Sequence, residues 1–222
     1  MDALSKFSEV VVKQKRHWRN KSFVYSTIFA LVLLTISAVL NNSANQYAVL
    51  SAKNPVPDIV LSNVRVFDVD VLVNYGPLLI VVLVFLTLLF RPGAIPFTIK
   101  SIALFIIIRS GFISLTHLGQ FEPQLILPTS GFLNFLGGGN TGGLFFSGHT
   151  GVPFLLALIF WDNRPLRFGL IALSILLGGA MLLAHLHYTI DVLGAFFITP
   201  TIYTLAKKFF KSDFTLLTQG TF

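Results

Sequence analysis

The chain has 222 residues, of which 54% are apolar and only 11% charged, and its mean hydropathy is +0.79. Soluble domains carry about 25% charged residues, so there is too little charge to coat a soluble globule, and 23 Phe residues demand a burial that a disordered chain does not offer. No Cys is present, which removes disulfides, iron–sulfur clusters and thiolate zinc sites, and a net charge of +7 in so apolar a chain marks membrane topology and anionic headgroups before nucleic acid.

Residues 1–22 form a basic N-terminal segment carrying Lys6, Lys13, Lys15, Arg16, Arg19 and Lys21. It reads as a topology anchor, with a contact to anionic lipid as the alternative. A spanning helix needs about 20 mostly apolar residues, and the sequence offers six such stretches. The first is Phe23 to Leu40, expected to stop at Asn41-Asn42-Ser43. Its apolar run is long for a signal peptide, and no A-x-A-like cleavage site follows. The second is Val71 to Phe90, ended by Arg91-Pro92-Gly93, and the third runs from about Pro96 to Leu118 with Arg109 inside it. The fourth runs from about Ser147 to Trp161, the fifth from Phe168 to about His185, and the sixth from Thr189 to Ala206. Residues 23–206 thus read as one six-span catalytic domain and 207–222 as a tail. Two connections are long: Asn41 to Asp70, and the Gly- and Pro-rich Leu118 to Phe146, which has no Lys or Arg.

Positive charge sets orientation in a bilayer. With the N-terminus cytoplasmic, thirteen of the sixteen basic residues fall inside, only Lys53 and Arg65 fall outside, and Arg109 lies within a span. The expectation is an all-α integral membrane protein, a six-helix transmembrane bundle with both termini cytoplasmic.

Ionisable groups inside spans are costly and need partners or water. That filter isolates Arg109, His149, His185, His187 and Asp191, all towards the outer half of the bundle under this topology. The first cluster is Ser147-Gly148-His149-Thr150 at the start of the fourth span. Gly148 permits close backbone approach, a helix start offers unpaired N–H groups and a positive dipole end, and Ser147 and Thr150 add hydroxyls. Together they suit a phosphate; a helix cap with a buried His is the plain alternative. The second cluster is His187-Tyr188-Thr189-Ile190-Asp191. His187 and Asp191 are spaced i, i+4 and share a face if the helix reaches back that far. An Asp holding one ring nitrogen leaves the other nucleophilic. The pair could also satisfy only itself, or join His185 with His149 or Glu122 in a metal site. His185 reads as structural or rim-facing. A channel or transporter is the reading from another class, but inverted repeats and broken helices in both halves are not seen.

The order SGHT, about 35 residues, then HYTID resembles the type-2 phosphatidic acid phosphatase superfamily, and within it the sphingomyelin synthase-related branch. Pro55-Val56-Pro57-Asp58 resembles that branch's P-x-P-D motif, and Arg109-Ser110 with Thr116 its R-S…T segment. The resemblance covers roughly residues 54–195. The ordinary phosphatases' K-x6-R-P motif is altered, since Lys100 stands nine residues before Arg109 and Ser110 replaces the Pro. The resemblance implies His187 as nucleophile on phosphorus, Asp191 as its orienting partner and His149 as general acid and base. It implies Arg109, Ser147, Gly148 and Thr150 as phosphate-binding residues. No cofactor or metal is implied. The substrates implied are a phospholipid donor and a lipid alcohol such as ceramide or diacylglycerol, with water as the alternative acceptor. The active site would face the extracytoplasmic side of the membrane.

Overall fold

The computed structural model describes residues 3–125 and 143–219, and among them every regular element is helical. They are α1 (Ala3–Arg19), α2 (Lys21–Ser51), α3 (Asp70–Phe90), a 3-10 turn (Pro92–Ala94), α4 (Ile95–Leu115), α5 (Gly148–Ile159), α6 (Arg164–Leu183), α7 (Thr189–Phe209) and α8 (Lys211–Gln219). Five of these segments are long and apolar enough to cross a membrane: α2, α3, the 3-10 turn with α4, α6 and α7. α5 is shorter. Its 12 residues rise about 18 Å at 1.5 Å each, against a hydrocarbon core about 30 Å thick. Most of the Gly/Pro-rich connection, residues 126–142, lies outside the described residues.

The helix ends follow local chemistry. The Asn20 side chain accepts from Ser22 N at 2.9 Å and caps α2, and Asn163 accepts from Leu166 N at 3.2 Å and caps α6, each satisfying an N–H left orphaned by the first turn. Between α3 and α4, Arg91 leaves the helical region and Pro92 opens the 3-10 turn, as a missing N–H and a fixed φ require.

One sequence expectation is corrected here. Asn41-Asn42-Ser43 does not stop the first span; α2 continues for two more turns to Ser51. Asn is a mediocre helix former but no breaker, and the C-terminal part of α2 is held by packing of Ala44 and Ala48 on Ile113 of α4.

α2 runs along α4, and α5 is surrounded by α4, α6 and α7, with α3 against α6. The main core gathers Phe97, Phe105, Phe146, Leu156, Phe160 and Leu177. Outward faces of α2, α3 and α7 leave Ile28, Phe29, Val82, Phe85 and Phe197 exposed, which suits lipid and not water. Lipid tails are as apolar as Leu, so close packing between helices depends on small residues. At Gly151 a Cβ would run into the Phe105 ring, and at Gly178 it would sit 2.9 Å from both Thr150 Oγ1 and Val192 Cγ1. These two glycines let α4 and α6 close on the start of α5.

The two ends of the bundle differ. At one end α1, α8 and the α3–α4 and α5–α6 turns come together. Gln14 Nε2 donates to Leu89 O at 2.8 Å, Arg91 pairs with Asp162 at 2.9 Å, and buried Lys100 pairs with Asp213 at 2.6 Å and donates to Ser26 Oγ at 2.7 Å. Both terminal helices therefore lie at the same end. At the other end the connection 52–69 folds over the α6–α7 turn, with Phe67 N donating to Leu183 O at 2.9 Å, while Leu125 N of the second connection donates to Ala184 O at 2.9 Å.

Candidate active site

All the chemistry-bearing residues singled out above lie at this second end. α4 brings Arg109 nine residues beyond Lys100, about 13.5 Å along the axis. α5 starts at Gly148 with Ser147 as its N-cap. The α6–α7 turn brings His187, and Asp191 is the third residue of α7.

His187 Nδ1 lies 3.1 Å from Asp191 Oδ2. The reason is not a shared helical face, because α7 begins only at Thr189. Asp191 turns back over the N-terminus instead, and its Oδ2 also accepts Tyr188 N at 3.1 Å. A carboxylate that far into the first turn caps the orphan N–H groups and sits in the favourable end of the helix dipole. The same oxygen holds the His187 ring. Asp191 is fully buried, and its other oxygen, Oδ1, has no partner among the described residues.

The two motifs are joined through the backbone, since Ser147 N donates to Asp191 O at 3.0 Å. The first intrahelical bond of α5 is Gly151 N to Ser147 O, so the N–H groups of residues 148–150 precede the helical ladder. Ser147 Oγ, His149 Nε2 and Thr150 Oγ1 are buried without partners among the described residues. His149 reaches the Val73 backbone on α3 and lies within charge–charge range of His187 and Arg109, and Arg109 within range of Asp191. Thr150 Oγ1 lies against α6 beside Gly178, and Thr150 O accepts from Ser174 Oγ at 2.6 Å.

Arg109 is heavily engaged by protein oxygens. Its Nε donates to Phe146 O at 2.8 Å, one terminal nitrogen to Gly143 O at 2.8 Å, and the other to Asn41 Oδ1 at 3.2 Å. Two of the five N–H groups of a guanidinium thus fix the stretch of chain leading into SGHT and a third holds Asn41 of α2, leaving two. Gly148 passes closely over this side chain, its ideal Cβ position being 3.7 Å from Arg109 Nε.

His185 sits apart from this cluster. It occupies a left-handed backbone position (φ 57°) just past α6, where Leu186 N donates to Met181 O and His185 N to Leu182 O, the pattern that closes many helices. Its Nδ1 lies 2.9 Å from Pro123 O and its Nε2 3.0 Å from Val64 O. The ring fastens both long connections to the α6–α7 turn. Among the described residues no three His, Cys, Asp or Glu side chains are grouped to hold a metal ion.

Sequence reasoning missed Asn41, which read as a helix stop and instead faces Arg109. The available signal was a polar residue in phase with the α4-facing positions Ser37, Ala44 and Ala48. It also gave Asp58 no role. Asp58 Oδ2 accepts Thr189 N at 2.7 Å and Oδ1 accepts Thr189 Oγ1 at 2.7 Å. Partial burial opposes its charge, but the Thr189 hydroxyl and the N–H groups of Leu61, Thr189 and Val60 hold the carboxyl below the usual carboxylate range.

Comparison with curated proteins and with solved structures gives no match. Residues 141–208 match a family model described as PAP2 superfamily C-terminal. That segment contains SGHT, the α6–α7 turn and α7, and the match supports for it the type-2 phosphatidic acid phosphatase superfamily, a group of phosphatase- and phosphotransferase-type membrane enzymes.

Proposed function

We propose that this chain is a membrane lipid phosphotransferase of the sphingomyelin synthase-like kind. It moves the phosphoryl headgroup of a phospholipid to a lipid alcohol, ceramide or diacylglycerol, through a phosphohistidine. The observation that carries the reading is the His187–Asp191 pair bonded through its backbone to the N-terminus of α5, beside the partnerless Nε2 of buried His149.

In the first half-reaction His187 Nε2 attacks phosphorus and the bond from phosphorus to the leaving lipid oxygen breaks. His149 gives that oxygen its proton. Asp191 keeps the proton on Nδ1 and stabilises the imidazolium. In the second half-reaction His149 takes the proton of the acceptor hydroxyl, the acceptor oxygen bonds to phosphorus, and the P–N bond breaks. Ser147 Oγ, the N–H groups at residues 148–150 and the remaining N–H groups of Arg109 hold the phosphoryl oxygens as charge shifts among them; Thr150 lines the same turn.

The topology belongs to this reading. α5, extended by the apolar residues 144–146 and 160–161, makes the sixth crossing. Both termini are cytoplasmic and the site faces the extracytoplasmic leaflet. The thirteen-to-two division of basic residues supports this, as does the gathering of α1 and α8 at the end away from His187.

The test uses purified protein in micelles with a phospholipid labelled in its headgroup phosphate. The expected result is acid-labile label on the protein in the absence of acceptor, none in His187→Ala, and transfer to added ceramide. His149→Ala should lose about 10²–10⁴-fold in turnover. Given a donor whose leaving group needs no proton, it should still accumulate label. Free headgroup phosphate with ceramide untouched would make water the acceptor. Label in His187→Ala and none in His149→Ala would reverse the two roles.

A further inference from the structure

We propose that Asp58 is a positioning residue for the His187–Asp191 pair, acting on it through Thr189, to which it is directly hydrogen-bonded. This rests on the phosphotransfer reading above.

The start of α7 has an unusual problem. Its N-cap is Tyr188, which lacks the short oxygen side chain that ordinarily caps a helix. The Tyr188 hydroxyl is turned away, donating to Gly119 O at 2.8 Å and accepting Val56 N at 3.2 Å. Asp58, 131 residues earlier, adds a second carboxylate beside that of Asp191 and takes the N–H of the first residue of α7. Its two oxygens take the N–H and the hydroxyl of Thr189, both at 2.7 Å, in the range of charge-assisted bonds. The grip is rigid on the Asp58 side as well. Oδ1 accepts Val60 N at 2.9 Å and Leu61 N at 3.1 Å, Ser62 N donates to Asp58 O at 2.9 Å, and Pro55 and Pro57 restrict the backbone leading in.

Thr189 stands two residues from His187 and two from Asp191. Asp191 Oδ2 divides itself between Tyr188 N and His187 Nδ1, each at 3.1 Å. Both bonds depend on where the backbone of residues 187–189 lies, and that backbone is held from outside by Asp58 at residue 189 and by Val56 and Gly119 at residue 188. Asp58 itself is partly exposed and, among the described residues, makes no hydrogen bond to His149, His187 or Asp191. Its effect is therefore on the orientation of the imidazole, a property needed more in the transition state than in binding.

The expected kinetics follow. Asp58→Ala and Asp58→Asn should lower kcat by about 10–100-fold, the usual cost of removing the support of a catalytic ligand, and shift KM by less than about threefold. Asn keeps the size, but its amide N–H groups face a donor at Thr189 N. Thr189→Val removes one of the two bonds and leaves the Asp58 turn intact, so it isolates the link if Asp58 variants fold poorly. It should lose kcat, and Thr189→Ser should bring it back. The Asp58→Asn/Thr189→Val double variant should fall no further than the worse single variant, because the two residues act as one unit. A loss confined to KM, additive losses, or no recovery with Thr189→Ser would overturn the proposal. His187→Ala measured alongside separates the two readings. If the parent and His187→Ala are equally inactive or equally active on every lipid tried, the phosphotransfer reading fails. If His187→Ala is dead while Asp58→Ala and Thr189→Val turn over like the parent, only the positioning role fails.

Discussion

Arg109 can serve this site in two ways, as a positive charge beside phosphate or as a brace for the chain entering SGHT, and Arg109→Lys separates them. Lys keeps the charge on one nitrogen. Arg109 reaches Phe146 O, Gly143 O and Asn41 Oδ1 with three different nitrogens, and one ammonium on a shorter stem can keep at most one of these. Hydrogen bonds to charged groups contribute about 1.5–3 kcal/mol each, so losing two costs about 3–6 kcal/mol. At about 1.4 kcal/mol per tenfold, the loss reaches roughly 10²–10⁴-fold in turnover if all of it is felt where residues 143–148 are placed. The buried carbonyls left behind add to the cost. Asn41→Ala removes a single bond and should cost about 10–100-fold on the same scale. The assay is headgroup transfer in micelles, with kcat and KM resolved and thermal unfolding recorded in parallel. Arg109→Lys should be nearly as impaired as Arg109→Met. Turnover within about tenfold of the parent in Arg109→Lys would refute the brace and leave charge as the contribution of Arg109.

Two further outcomes test the frame around the site. Lys100 and Asp213 keep only 7% and 10% of their side chains exposed, so Lys100→Met should leave an unpaired buried carboxylate and destabilise the protein by about 3–5 kcal/mol; Lys100→Met/Asp213→Leu should recover most of it, and thermal unfolding in detergent with no recovery would detach α8 from this role. Ile59 is 79% exposed on the connection between α2 and α3, and the chain has no Cys of its own. Ile59→Cys should therefore label from the extracytoplasmic side of intact membranes and Thr218→Cys only after permeabilisation, and the reverse pattern would invert the topology.

Composition and local pattern suffice for the apolar surroundings of this protein and the approximate position of its apolar helices, and they single out the polar residues on which the site reading rests. Those properties are local. A run of Leu, Val, Ile and Phe about 20 residues long has one economical home, and an Arg or His within such runs must have a partner. The tertiary structure decided what each polar residue does. Asn41 looked like a helix stop because its partner, Arg109, is 68 residues away. His187 and Asp191 were expected to meet across a helical face, yet they meet because Asp191 folds back over the N-terminus of α7, a geometry set by where the helix begins. The P-x-P-D segment could be matched by resemblance but not understood, since the N–H and hydroxyl that Asp58 binds belong to Thr189, 131 residues further along the chain. Charge-assisted bonds and close helix packing join groups distant along the chain, and spacing along the sequence carries no record of which groups they join.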